Sequence, residues 1–185
     1  MTPDARFDPV IAGATAGARW ALEALYAEIQ PRLLRYLAAQ SPDVAEDLAS
    51  DTWLGVARAL PRFEGDREDF RALVFTVARR RVLDHRRRVA LRRTATVDPD
   101  ELAGIGPSGN AEADAMERVG TGWALEQIAV LPPDQAEVVL LRVVADLSVE
   151  EVASIVGKRA GAVRALQLRA LRRLARNLSR EAVTR

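Results

Sequence analysis

Apolar positions along this chain recur at three- and four-residue steps, and no stretch keeps the period of two that a half-buried strand requires. Trp20, Leu22, Leu25, Tyr26, Ile29, Leu33 and Leu37 hold helical spacing, with a kink expected at Pro31. Ser41, Pro42 and Asp43 supply a turn and a helix start ahead of VAEDLASDTWLGVARAL, which Pro61 ends. PRFEGD, residues 61–66, reads as a loop, and DFRALVFTVARRRVLDHRRR as the helix after it. These elements make a first helical block reaching to about residue 92. Further on, TGWALEQIAVL predicts a short helix, and Pro132-Pro133 opens another through DQAEVVLLRVVADL, where proline is tolerated in the first turn.

The clearest local signal comes next, in SVEEVASIVG. Ser148 and Glu151 have the spacing of a capping box, in which each side chain satisfies a free backbone amide of the other residue. Val149, Val152, Ala153 and Val156 give this helix an inward face, and Gly157 suits a left-handed turn at its end. GKRAGAVRALQLRALRRLAR follows at once. On a helical wheel Val163, Leu166, Ala170, Leu174 and Leu178 fall on one side, while Arg164, Arg169, Arg172 and Arg176 fall mostly on the other. Two helices joined by a short glycine turn, the second basic on its outer face, predict a helix-turn-helix with a recognition helix.

Charge sharpens this picture. The net charge is only +1, but residues 79–93 carry eight arginines against one acid, Asp84, and residues 158–180 carry eight bases and no acid. Between them, residues 94–121 hold six acids and one base, in a stretch rich in Gly, Pro and Ser that reads as a flexible acidic linker. Two basic patches separated by an acidic segment suit polyanion binding at two places. The chain contains no cysteine and one histidine, His85, which excludes disulfides and thiolate metal sites and argues against a zinc hydrolase or a Ser-His-Asp site. The N-terminus lacks a signal-peptide pattern and no apolar run approaches the ~18–20 residues of a membrane span, so a cytoplasmic protein without membrane insertion is expected.

Each patch has a chemistry open to it. Phosphates are met by Arg and Lys, whereas sequence is read by side chains at base edges in the major groove. Arg164, Leu168 and Arg169 point outward in the first half of the final helix, as base readers do; Leu168 suits a thymine methyl group or a protein partner. Lys158, Arg159, Arg172 and Arg173 suit phosphates, and Gln167 lies nearer the core face. In the helix at 44–60, Asp47, Asp51, Leu54 and Arg58 cluster on one side while Leu48, Thr52 and Val56 face elsewhere. No neighbouring His or Cys completes a metal site there, so the face is either a protein dock or ordinary solvated surface. Phe63, beside an arginine-rich helix, suits either an unstacked base or the core.

These residues resemble a known family. AEDLASDTWLGVARALPRFEGD with DFRALVFTVARRRVLDHRRR resembles region 2 of extracytoplasmic-function (ECF) sigma factors, and LPPDQAEVVLLRVVADLSVEEVASIVG with GAVRALQLRALRRL is similar to region 4. The resemblance implies an all-α chain of two small domains: region 2 over residues 1–93, a flexible acidic linker over 94–120, and a region 4 helix-turn-helix over 121–185. It implies a dissociable bacterial RNA polymerase subunit, not an enzyme, with no catalytic residue, metal or cofactor, and monomeric when free. Asp47, Asp51, Leu54 and Arg58 would dock on the clamp helices of the polymerase β′ subunit. Phe63, Gly65, Asp66, Arg67, Arg79 and Arg80 would capture the −10 element. Lys158, Arg159, Arg164, Leu168, Arg169, Arg172 and Arg173 would engage the −35 element while region 4 packs on the β flap. An anti-sigma factor is the expected inhibitor. The alternative reading is a stand-alone helix-turn-helix regulator, which leaves the acidic helix and the PRFEGD loop without a role.

Overall fold

The computed structural model describes residues 8–95 and 115–183, with side chains over 8–92 and 122–177. The central part of the expected linker, 96–114, lies outside the described residues, as does the side chain of Leu178. Among the described residues every regular element is helical. In the first half these are α1 (Pro9–Thr15), α2 (Arg19–Gln40), α3 (Ala45–Ala59) and α4 (Arg67–Ala95). The second half holds α5 (Ala115–Ala129), α6 (Pro133–Val139), α7 (Val149–Val156) and α8 (Ala160–Val183). The first turns of α5 fall within the segment read as linker.

Helix α2 buries Ala21, Leu25, Ile29, Leu33, Tyr36 and Leu37 against α3 and α4, with Pro31 accommodated inside the helix. Trp20, Leu22 and Tyr26, which share the apolar spacing, are exposed instead. Tyr26 packs on Trp53 with ring centroids 5.1 Å apart, and Trp53 Nε1 donates to Gln30 Oε1 at 2.7 Å. Helix α3 turns Ala45, Leu48, Ala49, Thr52 and Val56 inward. Its Thr52 hydroxyl is satisfied by the Leu48 carbonyl at 2.6 Å, so a buried polar group costs little. Helix α4 contributes Phe70, Val74, Phe75, Ala78 and Val82, and Phe75 meets Tyr36 edge-on at 5.4 Å. Gly55 permits the close approach of α3 and α4, because a Cβ there would lie 2.8 Å from Val77 Cγ1.

Helix α1 was not expected from apolar periodicity, which seven residues are too few to display. Its start nevertheless carries a local signal: Asp8 caps it, accepting from the Val10 amide at 2.8 Å, and Pro9 occupies the first turn. The segment predicted as one helix after Pro133 is two in kind. α6 gives way to a π-helical turn, Leu140–Val144, closed by the Ala145 amide donating to the Leu140 carbonyl at 3.0 Å. That turn brings Leu140, Leu141, Ala145 and Leu147 into the core. The two halves touch where α2 meets α5 and the π turn, and where α4 meets α7, so the buried apolar residues form one continuous cluster.

Candidate nucleic-acid interface

The helix-turn-helix is built as its local sequence dictates. Ser148 Oγ accepts from the Glu151 amide at 3.1 Å while Glu151 Oε2 accepts from the Ser148 amide, completing the capping box. Gly157 ends α7 at φ 68°, the left-handed region where a side chain is strained. Helix α8 then packs Val163 and Ala170 fully into the core, with Leu166 and Leu174 half-buried. Gln167 Oε1 accepts from Arg142 Nε at 3.4 Å, and the Arg142 guanidinium also donates to the Leu147 carbonyl.

The opposite face of α8, with the turn just before it, carries the expected DNA-binding candidates. Lys158, Arg159, Arg164, Leu168, Arg169, Arg172 and Arg173 are all exposed. Two of them are aimed by acids: Lys158 Nζ lies 3.0 Å from Asp134 Oδ2, and Arg164 Nη2 lies 2.8 Å from Glu150 Oε1. Arg169 Nε donates back to the Ala165 carbonyl at 3.2 Å. Leu171, one turn beyond Leu168, is exposed as well. The signal that marks Leu168, an apolar residue among arginines, applies to it equally.

On α3, Asp47, Asp51, Leu54 and Arg58 are exposed along the face opposite Leu48, Thr52 and Val56. Beside this face Leu22, Leu25, Tyr26, Trp53, Val56, Leu60 and Phe70 line an open apolar cavity of about 420 Å³.

The PRFEGD residues are tied into the fold to different degrees. Phe63 is half-buried and packs edge-on to Phe70 at 5.6 Å. Gly65 has φ 151°, and a Cβ there would lie 2.7 Å from Asp69. Asp66 Oδ1 accepts from the Glu68 and Asp69 amides at 2.9 and 3.0 Å, capping α4. Arg67 donates to Asp8 at 2.8 Å and to Glu28 at 2.8 Å, linking α4 to the cap of α1 and to α2. The hydrogen bond from Arg67 is the main influence holding the Asp8 carboxyl below its ordinary value, aided by backbone amides and opposed by burial. Arg80 is exposed.

Arg79 is half-buried and forms a fork with Glu137 of α6, Nε to Oε1 at 2.8 Å and Nη2 to Oε2 at 3.3 Å. Burial opposes its charge, but the Glu137 carboxylate outweighs that and holds the guanidinium more firmly protonated. Beneath lies Tyr36, whose hydroxyl is pushed well up, first by burial and then by the charge of Glu137. The structure therefore brings the −35 candidates together on α8 and the turn that precedes it, and the docking candidates together on α3. It distributes the −10 candidates between exposed residues, Gly65 and Arg80, and residues engaged within the chain.

Among the described residues no group of three or more His or acidic side chains is placed to hold a metal, and no helix is long and apolar enough to cross a membrane.

Among the described residues, two all-helical domains, the first with an acidic helix face and the second with a capped basic helix-turn-helix, define a class of transcription factor. Residues 25–92 match the Sigma-70 region 2 family and residues 121–174 match Sigma-70, region 4. The ECF RNA polymerase sigma factor SigD of Mycobacterium tuberculosis is 37% identical over 179 residues, covering 91% of this chain and 82% of SigD. ShbA of Streptomyces griseus, another ECF RNA polymerase sigma factor, is 34% identical over 87% of this chain and 89% of its own length. RpoE of Bartonella quintana, solved with the anti-sigma factor NepR, superimposes with a TM-score of 0.65 at 22% identity, covering 85% of this chain and 96% of that one. CnrH, solved with the cytosolic domain of CnrY, gives a TM-score of 0.63 at 22% identity over 92% and 95% of the two chains. These two superpositions establish the shared fold. The chain belongs to the ECF RNA polymerase sigma factor family.

Proposed function

We propose that this protein is a dissociable, non-enzymatic subunit of RNA polymerase that directs initiation at promoters with paired −10 and −35 elements. The observation that carries this reading is the coexistence, in one chain of the family, of the exposed acidic face of α3 and the exposed basic face of α8. A stand-alone DNA-binding regulator needs the second face and has no use for the first.

In this scheme Asp47, Asp51, Leu54 and Arg58 dock the first domain, residues 1–93, on the polymerase β′ clamp helices. Arg164, Leu168 and Arg169 reach base edges of the −35 duplex, while Lys158, Arg159, Arg172 and Arg173 meet phosphates. Region 4, within residues 121–185, packs on the β flap, and residues 94–120 span between the domains. Arg80 and Arg79 contact the −10 strand, and Phe63, Gly65, Asp66 and Arg67 shape the loop that presents it. The protein acts in the cytoplasm, is monomeric when free, and is held by an anti-sigma factor. Support for the last point comes from RpoE, which was solved with the anti-sigma factor NepR.

Run-off transcription with core polymerase on a library of genomic promoters tests the proposal. The expected result is specific transcripts with polymerase and weak duplex binding without it. Tight, sequence-specific binding by the isolated chain, with no transcript on adding polymerase, would sink it.

A further inference from the structure

The two halves of the chain are joined by charge as well as by apolar contact. Three arginines of the first half grip two acids of the second. Arg79 forks onto Glu137, with both side chains mostly buried, at 23% and 17% exposure. Arg71, also largely buried, donates to the Asp146 carbonyl at 3.0 Å and to its Oδ2 at 3.1 Å, and Arg32 reaches the same Oδ2 at 3.2 Å. Asp146 has φ 56°, a left-handed conformation that non-glycine residues adopt sparingly, and its carbonyl and carboxylate are presented together to Arg71.

A carboxylate fork on a guanidinium has the geometry that a phosphate adopts there. The set is also unequally satisfied, because Arg71 Nε is buried without a partner. An anion richer in oxygens than one carboxylate would meet that donor. The arginines belong to α2 and α4, and α4 carries the dense basic run of the first domain, so closure covers part of the surface that a nucleic-acid strand would use.

We propose that Glu137 and Asp146 form a carboxylate latch that closes the second domain on the first, standing at Arg79 and Arg71 where nucleic-acid phosphates bind when the chain opens. The closure is independent of the sigma-factor reading; the identity of the strand that opens it rests on that reading. Closed chains bind single strands weakly, because the apparent affinity falls with the fraction that is open. The open form, with its arginines released, is the one competent for the −10 strand.

The absence of cysteine allows two labels to be introduced cleanly, at Ser50→Cys on α3 and Ser154→Cys on α7, both exposed. The distance distribution between spin labels reports closure in the full chain. The otherwise unmodified sequence should give a narrow, short distance that lengthens when single-stranded DNA of about 12 nucleotides is added. Glu137→Gln with Asp146→Asn should give a longer, broader distribution and bind that oligonucleotide roughly 3- to 10-fold more tightly. Arg79→Glu with Glu137→Arg should restore the short distance, whereas either change alone should not.

An unchanged distribution in the Gln/Asn variant overturns the latch. So does failure of the charge exchange to restore closure, since closure would then be a matter of packing and not of pairing. Opening without any gain in oligonucleotide affinity overturns the masking of Arg79 and Arg71. A chain that opens as expected but gives no transcript with core polymerase upholds the latch and fails the sigma reading instead.

Discussion

Arg67 Nε donates to Asp8 Oδ2 at 2.8 Å, joining the first turn of α4 to the residue that caps α1. Asp8→Asn keeps a good capping side chain but removes the charge, so it isolates the ion pair. With Arg67 37% exposed, the loss should be under about 1 kcal/mol in denaturant unfolding. Asp8→Ala removes the cap as well and should cost about 1 kcal/mol more. Because folding lowers the Asp8 pKa, this contribution is complete above the unfolded carboxylate value, about 4, and is lost as pH falls through the folded one. The stability gap between the parent chain and Asp8→Asn should therefore close under acid and stay constant across neutral pH.

The helix-turn-helix depends on its cap and its glycine. Ser148→Ala should destabilise the second domain by about 1 kcal/mol through an unmet Glu151 amide. Gly157→Ala should cost a similar amount, about 1 kcal/mol, because φ there is 68°. Thermal unfolding of each variant checks both values, and −35 duplex binding should weaken in parallel.

Gly55 tests the seam between α3 and α4. A methyl group there meets Val77 at 2.8 Å, so Gly55→Ala should overpack the first domain and cost about 1–3 kcal/mol despite its better helix propensity. A more stable Gly55→Ala variant in urea titration would contradict this account of the seam.

Docking and reading should separate by mutation. Asp51→Arg reverses charge on the exposed face of α3 and should weaken competition for core polymerase while leaving the unfolding free energy within about 0.5 kcal/mol. Arg169→Ala should leave core binding intact and cost about 1–3 kcal/mol at one −35 position. If every −35 substitution remains equally active in run-off transcription with Arg169→Ala, the reading role belongs to another residue.

Basic residues assigned to phosphates should behave differently from base readers. Arg172→Ala is expected to weaken all −35 sequences alike and to reduce the salt dependence of binding by about one unit of slope. Fluorescence anisotropy across a salt series distinguishes this from a change in sequence preference.

What the sequence determined by itself was local. The capping box of Ser148 and Glu151, the left-handed Gly157, the inward face of α3 and the basic outer face of α8 follow from interactions within a few residues. Helical period and cap chemistry act over that range, so spacing alone places them. The π turn and the exposure of Trp20, Leu22 and Tyr26 did not follow, because period identifies an apolar stripe without saying how wide a neighbour covers it. Only the tertiary structure decided which charges meet. Arg67 finds Asp8 across 59 residues, Arg71 finds Asp146 across 75, and Arg79 finds Glu137 across 58. A count of charge along the chain shows all of these groups and pairs none of them. Pairing depends on how α2, α4, α6 and the π turn pack, and the packing is set by the buried apolar cluster that both domains share.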